Sequence, residues 1–586
     1  MLLERYLESL GSEAIQKALG LDEPRPAIVR PTTDPKFGDF QINGALPLGK
    51  ELKRPPRELA QPIAEALVGV NAIDKAEVAG PGFVNIYLAT EWIASELTEA
   101  LRDAARDGVP AVEEASKIIV DFSSPNIAKQ MHVGHLRSTI IGDAIARILS
   151  FMGHDVVRDN HLGDWGTQFG LLIVGMREWG NEGALQSDPI AELERVYKLA
   201  SERAGSDEAF AERARAELAK LQTGDEENRK LWEHFVEVSR GALDAVYAEL
   251  DVSFDVWLGE SAYHDALPGV VDELLEKGIA REDDGAVCIF WSEIDGVPKT
   301  LRKQKTPFIV RKKDGAFLYS TTDIATVEYR KDHFRADRAL YVVDNRQGLH
   351  FQQLFAVMKL LGTDIELEHI GFGTVLGKDG KPLRTRDASG HVITLVSLLE
   401  ESKQRARQRI DEGITEGRLR VRPEEIDEVS RVVGIGAVKY ADLRQNRLSD
   451  YQFDWDKMIS FQGNAGPYLQ YAYARCASIF AKGGIDMDAV SSSATIVLDA
   501  PTEQTLGKHL LRFSDVVYQA GATSQPHLIC EHLYELARAF NGFYAECPVL
   551  DAHGTTRDNR LGLTALTARQ IRRGLGLVGI GVVDRM

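Results

Sequence analysis

The spacing of apolar side chains divides the chain into segments that favour either helix or strand. At the start of the chain, five apolar residues recur at helical spacing: Leu2, Leu3, Tyr6, Leu7 and Leu10. Segments 75–79 and 83–88 then read as two strands joined across the turn-forming cluster Gly-Pro-Gly at 80–82. Residues 1–110 are therefore predicted to form a small α+β domain, which a charged linker follows.

A different pattern begins near residue 117. The short apolar run 118–122 is typical of a strand buried in a parallel sheet. After a polar loop comes an apolar stripe of helical period, made by Leu136, Ile140, Ile141, Ala144, Ile145, Ile148 and Leu149. Strand, loop and helix in this order predict the opening unit of a nucleotide-binding α/β sheet. The α/β pattern returns near Phe308, with further buried strands predicted at 340–343 and 369–376.

The other segments favour helix. Residues 181–230 hold 12 acidic and 8 basic side chains at helical periodicity, which predicts a solvated helical insertion spanning about 175–290. Beyond residue 459 only helical stripes follow. The predicted organisation is an N-terminal domain (1–110), an α/β domain (116–390), a helical connecting region (391–458) and a helical C-terminal domain (459–586).

Composition narrows the class of protein. The 586 residues carry a net charge of −19, which argues against nucleic-acid binding through overall charge but leaves room for a local basic path. The four cysteines form no Cys-x-x-Cys pair, so neither a zinc site nor a disulfide framework is expected. Charge close to the N-terminus and the lack of an apolar run of about 18 residues predict a cytoplasmic protein with no membrane or DNA partner.

The loop at 122–135 carries the most informative polar residues. It lies between the predicted strand and its helix, where backbone N–H groups and the helix dipole attract phosphate. His132 and His135 can donate to phosphate oxygens, Lys129 adds an ammonium group, and Gly134 leaves room for a base or sugar. A bare His-x-x-His pair is more often a metal site or a surface feature, but its place after a strand favours phosphate chemistry.

The residues of this loop resemble a known family. His-Val-Gly-His at 132–135 is similar to the HIGH motif of class I aminoacyl-tRNA synthetases, and longer strings resemble arginyl-tRNA synthetase. These strings lie at 123–129, 135–142, 163–168, 318–323, 442–444 and 466–471. The resemblance covers essentially the whole chain. It implies a multidomain α/β plus all-α protein with a Rossmann-like parallel-sheet catalytic domain, an N-terminal domain that touches the tRNA elbow, and a helical anticodon-binding domain.

A pocket for arginine is predicted around residues 319–323. Tyr319 and Asp323 are four apart, so a helix beginning here projects both from one face. A carboxylate can accept the forked guanidinium in two hydrogen bonds, and a phenol can pack on its plane. Spacing alone fits equally a structural carboxylate beside a half-buried tyrosine. The resemblance implies that both residues hold the guanidinium, that Gln347 lines the same pocket, and that three residues face the α-amino and carboxylate end: Ser124, Asn126 and His132.

The family's Lys-Met-Ser-Lys-Ser loop is absent from this sequence. In its place, residues 377–386 hold two glycines and four cations: Lys378, Lys381, Arg384 and Arg386. A flexible basic loop suits the charge of pyrophosphate, although such a cluster taken alone is more typical of a solvated hairpin tip. Lys129 is predicted to supply part of the role of the missing lysine.

Two basic segments and two tyrosines are candidates for contact with tRNA. Residues 299–316 carry seven cations against one aspartate, and the acceptor end is predicted to bind Arg302, Lys303 and Lys305. Residues 557–573 carry five arginines. For either segment the alternative is an exposed charged face. Tyr468 and Tyr471 are predicted to stack on unpaired anticodon bases, the alternative being packing between helices.

The predicted function is ATP-dependent attachment of L-arginine to tRNA(Arg) through an arginyl-adenylate, with release of AMP and pyrophosphate and with Mg²⁺ on the ATP phosphates. The resemblance implies that tRNA must bind before arginine is activated efficiently; the enzyme is expected to be a monomer. Three alternatives are a class I synthetase for lysine or glutamate, a catalytically silent tRNA-binding relative, and a small-molecule nucleotidyltransferase. Asp323 argues against an acidic substrate such as glutamate. The intact histidines argue against a catalytically silent relative, and the length of the chain argues against a small-molecule nucleotidyltransferase.

Overall fold

The computed structural model describes residues 1–32, 34–383 and 394–586, which fall into two compact units. The first unit is built from 1–112, 410–433 and 460–586, and the second from 113–409 and 434–459. Among the described residues, no helix is long and apolar enough to cross a membrane. The first unit thus contains residues from both predicted terminal domains.

Residues 1–112 form a small antiparallel sheet with helices packed against it. In chain order the elements are α1 (Leu3–Leu19), β1 (Val29–Pro31), β2 (Phe40–Ile42), α2 (Ala45–Glu51), α3 (Pro56–Leu67), β3 (Ile73–Ala79), β4 (Phe83–Leu88) and α4 (Thr90–Arg102). The sheet order is β1–β2–β4–β3. The predicted hairpin is confirmed as β3 and β4, and its turn contains Gly80 and Gly82, both at positive φ, which glycine adopts at little cost.

The second unit begins with alternating strands and helices. These are β5 (Lys117–Asp121), α5 (Val133–Met152), β6 (Asp155–Leu162), α6 (Gln168–Trp179), α7 (Glu182–Ser187), α8 (Pro189–Ser206), α9 (Glu208–Gln222), α10 (Glu226–Glu249) and β7 (Val256–Gly259). Then follow α11 (Leu267–Glu276), β8 (Arg281–Asp283), β9 (Ala286–Ile289), α12 (Lys299–Arg302), β10 (Phe308–Arg311), α13 (Tyr319–Asp332), β11 (Arg338–Tyr341), α14 (Gly348–Leu361), β12 (Glu366–His369) and β13 (Val375–Leu376).

A five-stranded parallel sheet, in the order β12–β11–β5–β6–β7, forms the centre of this unit. Ile118, Ile119 and Val120 of β5 are fully buried, as their apolar run predicts. The chain adds β6 and β7 on one side of β5, then β11 and β12 on the other. The carboxyl ends of β5 and β11 therefore flank the point where the strand order reverses, which is where open α/β sheets bind ligands.

The structure differs from the predicted elements in three places. The segment 175–290 contains the helices α7–α11, but also β7, which joins the parallel sheet, and β8 and β9. The strand near Phe308, β10, pairs antiparallel with β9 instead of joining the parallel sheet. The predicted strand 369–376 is not continuous: β12 ends at His369, and β13 contains only Val375 and Leu376.

The chain ends in helices, as predicted. The elements are α15 (Leu395–Thr415), α16 (Ile426–Leu443), β14 (Tyr451–Gln452), α17 (Trp455–Met458), α18 (Gly466–Gly483), α19 (Met487–Ser493), α20 (Pro501–Leu511), α21 (Phe513–Ala522), α22 (His527–Glu546) and α23 (Gly554–Leu577). Strand β14 pairs in parallel with β13. Within the first unit, α4 packs against α19, α20 and α23.

Candidate functional site

The loop between β5 and α5 ends in two histidines that cap the helix. The Nδ1 atom of His132 accepts a hydrogen bond from the Gly134 amide (3.0 Å), and the Nδ1 atom of His135 accepts one from the His132 amide (3.1 Å). Their ring centroids lie 4.1 Å apart. Helix N-termini leave free amides that need acceptors, so these two rings satisfy the start of α5.

The same contacts fix which ring nitrogen carries the proton. Burial, followed by the charge of Lys129, lowers the pKa of His132. Burial, followed by the charge of His132, lowers the pKa of His135 to about 4. Both rings are therefore neutral at pH 7, and because each Nδ1 accepts a hydrogen bond, each Nε2 bears the hydrogen and can donate. The pair can therefore donate hydrogen bonds, and neither ring carries positive charge at pH 7.

The position of the His132 ring requires a glycine at residue 134. A Cβ at this position would lie 2.7 Å from a ring carbon of His132, so only glycine allows that ring to cap the helix. The residue is exposed, and the predicted approach of a base or sugar to it stays a prediction. Lys129 is also exposed, and its ammonium lies 5.3 Å from the centre of the Tyr197 ring on α8.

The first half of the loop is held in an unusual backbone conformation. Ser123, Ser124 and Ala128 adopt positive φ values of 74°, 46° and 63°, a region that residues other than glycine adopt uncommonly. The Ser124 hydroxyl donates to Asp121 Oδ1 (3.0 Å), and its amide donates to a side-chain oxygen on β6. The predicted contact between Ser124 and the amino acid is not tested by these bonds and stays a prediction.

Asn126 is exposed in the middle of this loop and lies against the segment that follows β6. A Cβ at Gly163 would collide with Oδ1 of Asn126. The neighbouring amide of Ile127 donates to the Gly163 carbonyl (3.2 Å). The two predicted motif strings at 123–129 and 163–168 are thus in direct contact.

The predicted guanidinium pocket lies at the start of α13. The helix begins at Tyr319, so Asp323 follows one turn later on the same side, as predicted. The side chain of Asp323 is 24% exposed, and its Oδ2 atom lies 2.5 Å from Nε2 of His350 on α14. The Tyr319 ring packs edge-on against His350, with centroids 4.8 Å apart.

Two further residues of this pocket escaped the sequence analysis. His350 lies on the first turn of α14, directly after Gln347, which ends the short 3-10 helix 345–347 and is exposed. Glu260 directly follows β7; burial raises the pKa of its carboxyl, the charge of His161 lowers it, and the charges of Asp164 and Asp323 raise it. The position of His350, three residues after the predicted pocket residue Gln347, could have indicated its role from the sequence. No sequence pattern indicated Glu260.

The basic loop starts from β13. The Gly377 amide donates to the Lys381 carbonyl (2.8 Å), and Gly380 has a φ of 71°, so the segment 377–381 is a tight turn. The side chains of Lys378 and Lys381 are exposed at this turn. Arg384 and Arg386 lie outside the described residues.

A buried arginine connects α5 to the base of this loop. Arg137, 2% exposed, donates to the Gly373 carbonyl (2.7 Å) ahead of β13 and to the Ser449 carbonyl (3.3 Å) ahead of β14. Its Nε atom lies 3.0 Å from the carboxylate of Asp442. The helix that carries His135 and the strand that leads into the basic loop are therefore held together by one side chain.

The candidate tRNA contacts divide into exposed and internal residues. Lys303 and Lys305 are exposed, and Arg302 pairs with Asp295 (3.1 Å) on the surface. In the first unit, the Tyr468 hydroxyl accepts a hydrogen bond from Asn541 (2.9 Å), and the Tyr471 ring lies 5.4 Å from the Arg475 guanidinium. Both tyrosines are half-buried; Tyr468 packs against α22, and each ring keeps an accessible part.

Three arginines of the segment 557–573 form internal ion pairs, whereas Arg572 is exposed, so the segment is not uniformly an exposed charged face. Arg569 donates to the carbonyls of Leu101 (2.6 Å) and Asp103 (2.9 Å), and it pairs with buried Asp107. Arg573 also pairs with Asp107, and Arg560 pairs with Glu503 (2.9 Å). These arginines stabilise the first unit because their ion pairs connect α23 to α20 and to the segment after α4. Within the described ranges, no group of three or more His, Cys, Asp or Glu could hold a metal ion.

Comparison with protein families matches nearly the full length of the chain. The family model "tRNA synthetases class I (R), catalytic domain" matches residues 96–455. The "DALR anticodon binding domain" matches 469–586, and the "Arginyl tRNA synthetase N terminal domain" matches 6–88.

Individual relatives agree with these matches. An arginine--tRNA ligase of Laribacter hongkongensis is 45% identical over 578 residues, 97% of each chain. One of Picosynechococcus is 45% identical over 99% of each chain. Among solved structures, arginyl-tRNA synthetase from Plasmodium falciparum is similar with a TM-score of 0.85 at 28% identity, over 100% of this chain and 99% of that one. The Thermus thermophilus arginyl-tRNA synthetase gives 0.81 at 25% identity, over the whole of both chains.

Proposed function

Since the chain belongs to the class I arginyl-tRNA synthetases, we propose that the β5–α5 loop and the pocket at the start of α13 together form its site of arginine activation. The enzyme attaches L-arginine to tRNA(Arg) through an arginyl-adenylate and uses ATP. The observation that carries the proposal is the placement of Asp323 and Tyr319 on one face of α13, within the unit whose sheet reverses its strand order at the loop.

The guanidinium is bound by charge and by a flat surface. Asp323 accepts two of its N–H groups, and the exposed Tyr319 ring packs on its plane. His350 holds the carboxylate of Asp323 in place, and Gln347 offers a further acceptor on the pocket wall. A carboxylate that is only 24% exposed discriminates against neutral side chains, because binding one would leave its charge unpaired.

The adenylation step needs no protein nucleophile. The carboxylate of arginine attacks the α-phosphorus of ATP, and the bond to pyrophosphate breaks. His132 and His135 donate from Nε2 to phosphate oxygens as negative charge moves toward pyrophosphate. Lys129, Lys378, Lys381, Arg384 and Arg386 supply the positive charge that the neutral histidines lack. Ser124 and Asn126 orient the reacting end of the amino acid.

The environment of the enzyme follows from the same features. ATP enters with Mg²⁺ on its phosphates, the usual way in which this ion is held beside a nucleotide. The acceptor end of tRNA contacts Arg302, Lys303 and Lys305, and Tyr468 and Tyr471 stack on anticodon bases. We propose a cytoplasmic monomer; the four cysteines are buried thiols and not disulfides, which fits a reducing compartment.

Arginine-dependent exchange between ATP and pyrophosphate tests this proposal. Asp323→Ala should lower the exchange rate by at least 100-fold while ATP binding stays within about threefold, because losing one partner of a charged, largely buried pair costs about 2–5 kcal/mol. Asp323→Asn, which keeps the shape and loses the charge, is the matched variant. The assay is run with and without tRNA. Exchange within tenfold of the parent in Asp323→Ala, or exchange driven by lysine, would contradict the pocket assignment.

A further inference from the structure

A second charged residue of α13 lies deep beneath the proposed site. Arg330 follows Asp323 by seven residues, which is close to two helical turns, so Tyr319, Asp323 and Arg330 lie along one side of the helix. Its side chain is 0% exposed. A buried guanidinium must find compensating charge inside the protein, and that partner fixes where the helix can lie.

The partners of Arg330 are two carboxylates at neighbouring positions of the parallel sheet. Its Nη2 atom lies 2.6 Å from Asp121 Oδ2 and 2.7 Å from Asp159 Oδ2, and its Nε donates to Asp159 as well (3.2 Å). Asp121 is the last residue of β5 and is in register with Asp159 on β6. One side chain thus fastens α13 to two strands at once.

A third strand completes the row. Tyr341 is the last residue of β11 and is in register with Asp121. The guanidinium carbon of Arg330 lies 5.1 Å from the centre of the Tyr341 ring. Arg330 therefore contacts the carboxyl ends of β11 and β5 and the middle of β6, on both sides of the point where the strand order reverses.

The network continues into the loop that precedes the histidines. Asp121 uses one oxygen for Arg330 and the other for the Ser124 hydroxyl, at 3.0 Å. Ser124 has a positive φ of 46°, and such strained conformations persist only where surrounding contacts determine them. A continuous path of contacts thus runs from α13 through Arg330 and Asp121 to the strained part of the loop.

The charge balance of Asp121 and Asp159 depends on Arg330. Burial raises the pKa of Asp159, as does the like charge of Asp121, while Arg330 works in the opposite direction. Burial disfavours the charged form of Arg330, yet the charge of Asp121 keeps its pKa well above the ordinary value. Without the guanidinium, two buried carboxylates would face each other on adjacent strands.

We propose that Arg330 is a positioning residue for arginine activation, which holds the guanidinium-binding face of α13 in register with the β5–α5 loop. This inference rests on the proposed function of that site. Arg330 does not touch the substrate; it acts through Asp121 and Ser124 on one side and through its own helix on the other. A lysine has one point of charge and no planar fork, so it cannot hold both carboxylates in this geometry.

The test compares Arg330→Lys with Arg147→Lys in tRNA-dependent ATP–pyrophosphate exchange. Arg147 lies on the far half of α5 and pairs with buried Asp143 (2.7 Å), so its variant reports the cost of a weakened ion pair remote from the loop. For Arg330→Lys we expect the KM for arginine to rise at least tenfold and kcat to fall at least tenfold, with the KM for ATP within threefold. Arg147→Lys should keep the parental KM for arginine.

If Arg330 had a purely structural role, kcat would fall in proportion to the fraction of folded enzyme, and the KM for arginine would stay within twofold of the parent. That result would overturn the inference. If Arg330→Lys does not fold, Asp159→Asn decides: a KM for arginine raised at least threefold supports the inference, and a parental KM overturns it. The parent is measured in the same assay. Absence of arginine-dependent exchange in the parent overturns the proposed function and this inference together. If the parent shows normal exchange, a negative result for the variants overturns only the role of Arg330.

Discussion

At the scale of single residues, the two histidines cap the start of α5 and, in the proposed site, also bind phosphate. Each ring uses Nδ1 to accept from a backbone amide and leaves the hydrogen of Nε2 to donate. Because both rings are neutral at pH 7, the proposed positive charge for phosphate comes from lysines and arginines. In that proposal the motif contributes hydrogen-bond donors, and the basic loop contributes charge.

The protonation of His135 gives a prediction about stability and pH. Its pKa is about 4 in the folded protein against an ordinary 6.5, so between these values the unfolded chain binds the proton more readily. The associated stability is fully present above pH 6.5 and declines as pH falls toward 4, by roughly 3 kcal/mol in total. His135→Asn keeps an acceptor at the Nδ1 position but cannot titrate. Urea unfolding at pH 7, 6, 5 and 4 should show a steeper loss in the parent than in this variant; parallel curves would refute the assignment.

At the scale of elements, buried arginines decide how helices sit on the sheet. Arg137 fastens α5 to the strand before the basic loop, and Arg330 fastens α13 to three strands. Strand β13 has only two residues, so the hydrogen bond from Arg137 to the Gly373 carbonyl ahead of it adds to the few backbone bonds that hold it.

The pair Arg137–Asp442 gives an element-scale prediction. Arg137→Met leaves the fully buried carboxylate of Asp442 without its guanidinium, which should cost about 3–5 kcal/mol of unfolding free energy. The double variant with Asp442→Asn should be more stable than Arg137→Met, because the unpaired charge is gone, yet less stable than the parent. Tryptophan fluorescence during urea unfolding is a suitable measurement, since six of the seven tryptophans lie in the second unit. Additive losses would show that the two side chains do not interact.

The same elements show what could be predicted from the sequence. The hairpin at 73–88 and the central strand β5 were predictable because local alternation and apolar runs report burial directly. The face shared by Tyr319 and Asp323 followed from helical spacing. The pairing of Arg330 with Asp121 and Asp159 joins residues 209 and 171 positions apart, and no local pattern encodes it. The internal pairs of α23 are hidden from local patterns for the same reason: Asp107, the partner of Arg569 and Arg573, is 462 residues from Arg569.

At the scale of the whole molecule, the net charge of −19 limits where an RNA can bind. Three arginines of the C-terminal segment are taken up by internal pairs, so they add less to a basic surface than their number indicates. The exposed lysines at 303 and 305 and the turn at 377–381 remain the better candidates for phosphate contact.

This division predicts different salt dependences for tRNA binding. Removing one lysine that contacts a phosphate should reduce the slope of log K against log salt by about one. Lys303→Ala/Lys305→Ala should therefore flatten the slope by about two. Arg560→Ala should destabilise the first unit and leave the slope unchanged, because its guanidinium pairs with Glu503. Filter binding of tRNA between 50 and 300 mM salt, about the range in which such slopes are measured, distinguishes these outcomes. Equal slopes in all three proteins would contradict the assignment.

The construction of the first unit from both ends of the chain has a consequence for biosynthesis. Asp107 leaves the ribosome long before Arg569 and Arg573, its two partners on α23. At about 5–20 residues per second, the interval is on the order of 20 to 90 s. During that time the N-terminal sheet can form, but the buried carboxylate of Asp107 lacks both partners and the surface of α4 lacks α20 and α23. The N-terminal segment is therefore synthesised first but completes its packing last. Until α20 and α23 are made, the apolar side chains of α4 lack their partners, and a chaperone would bind there.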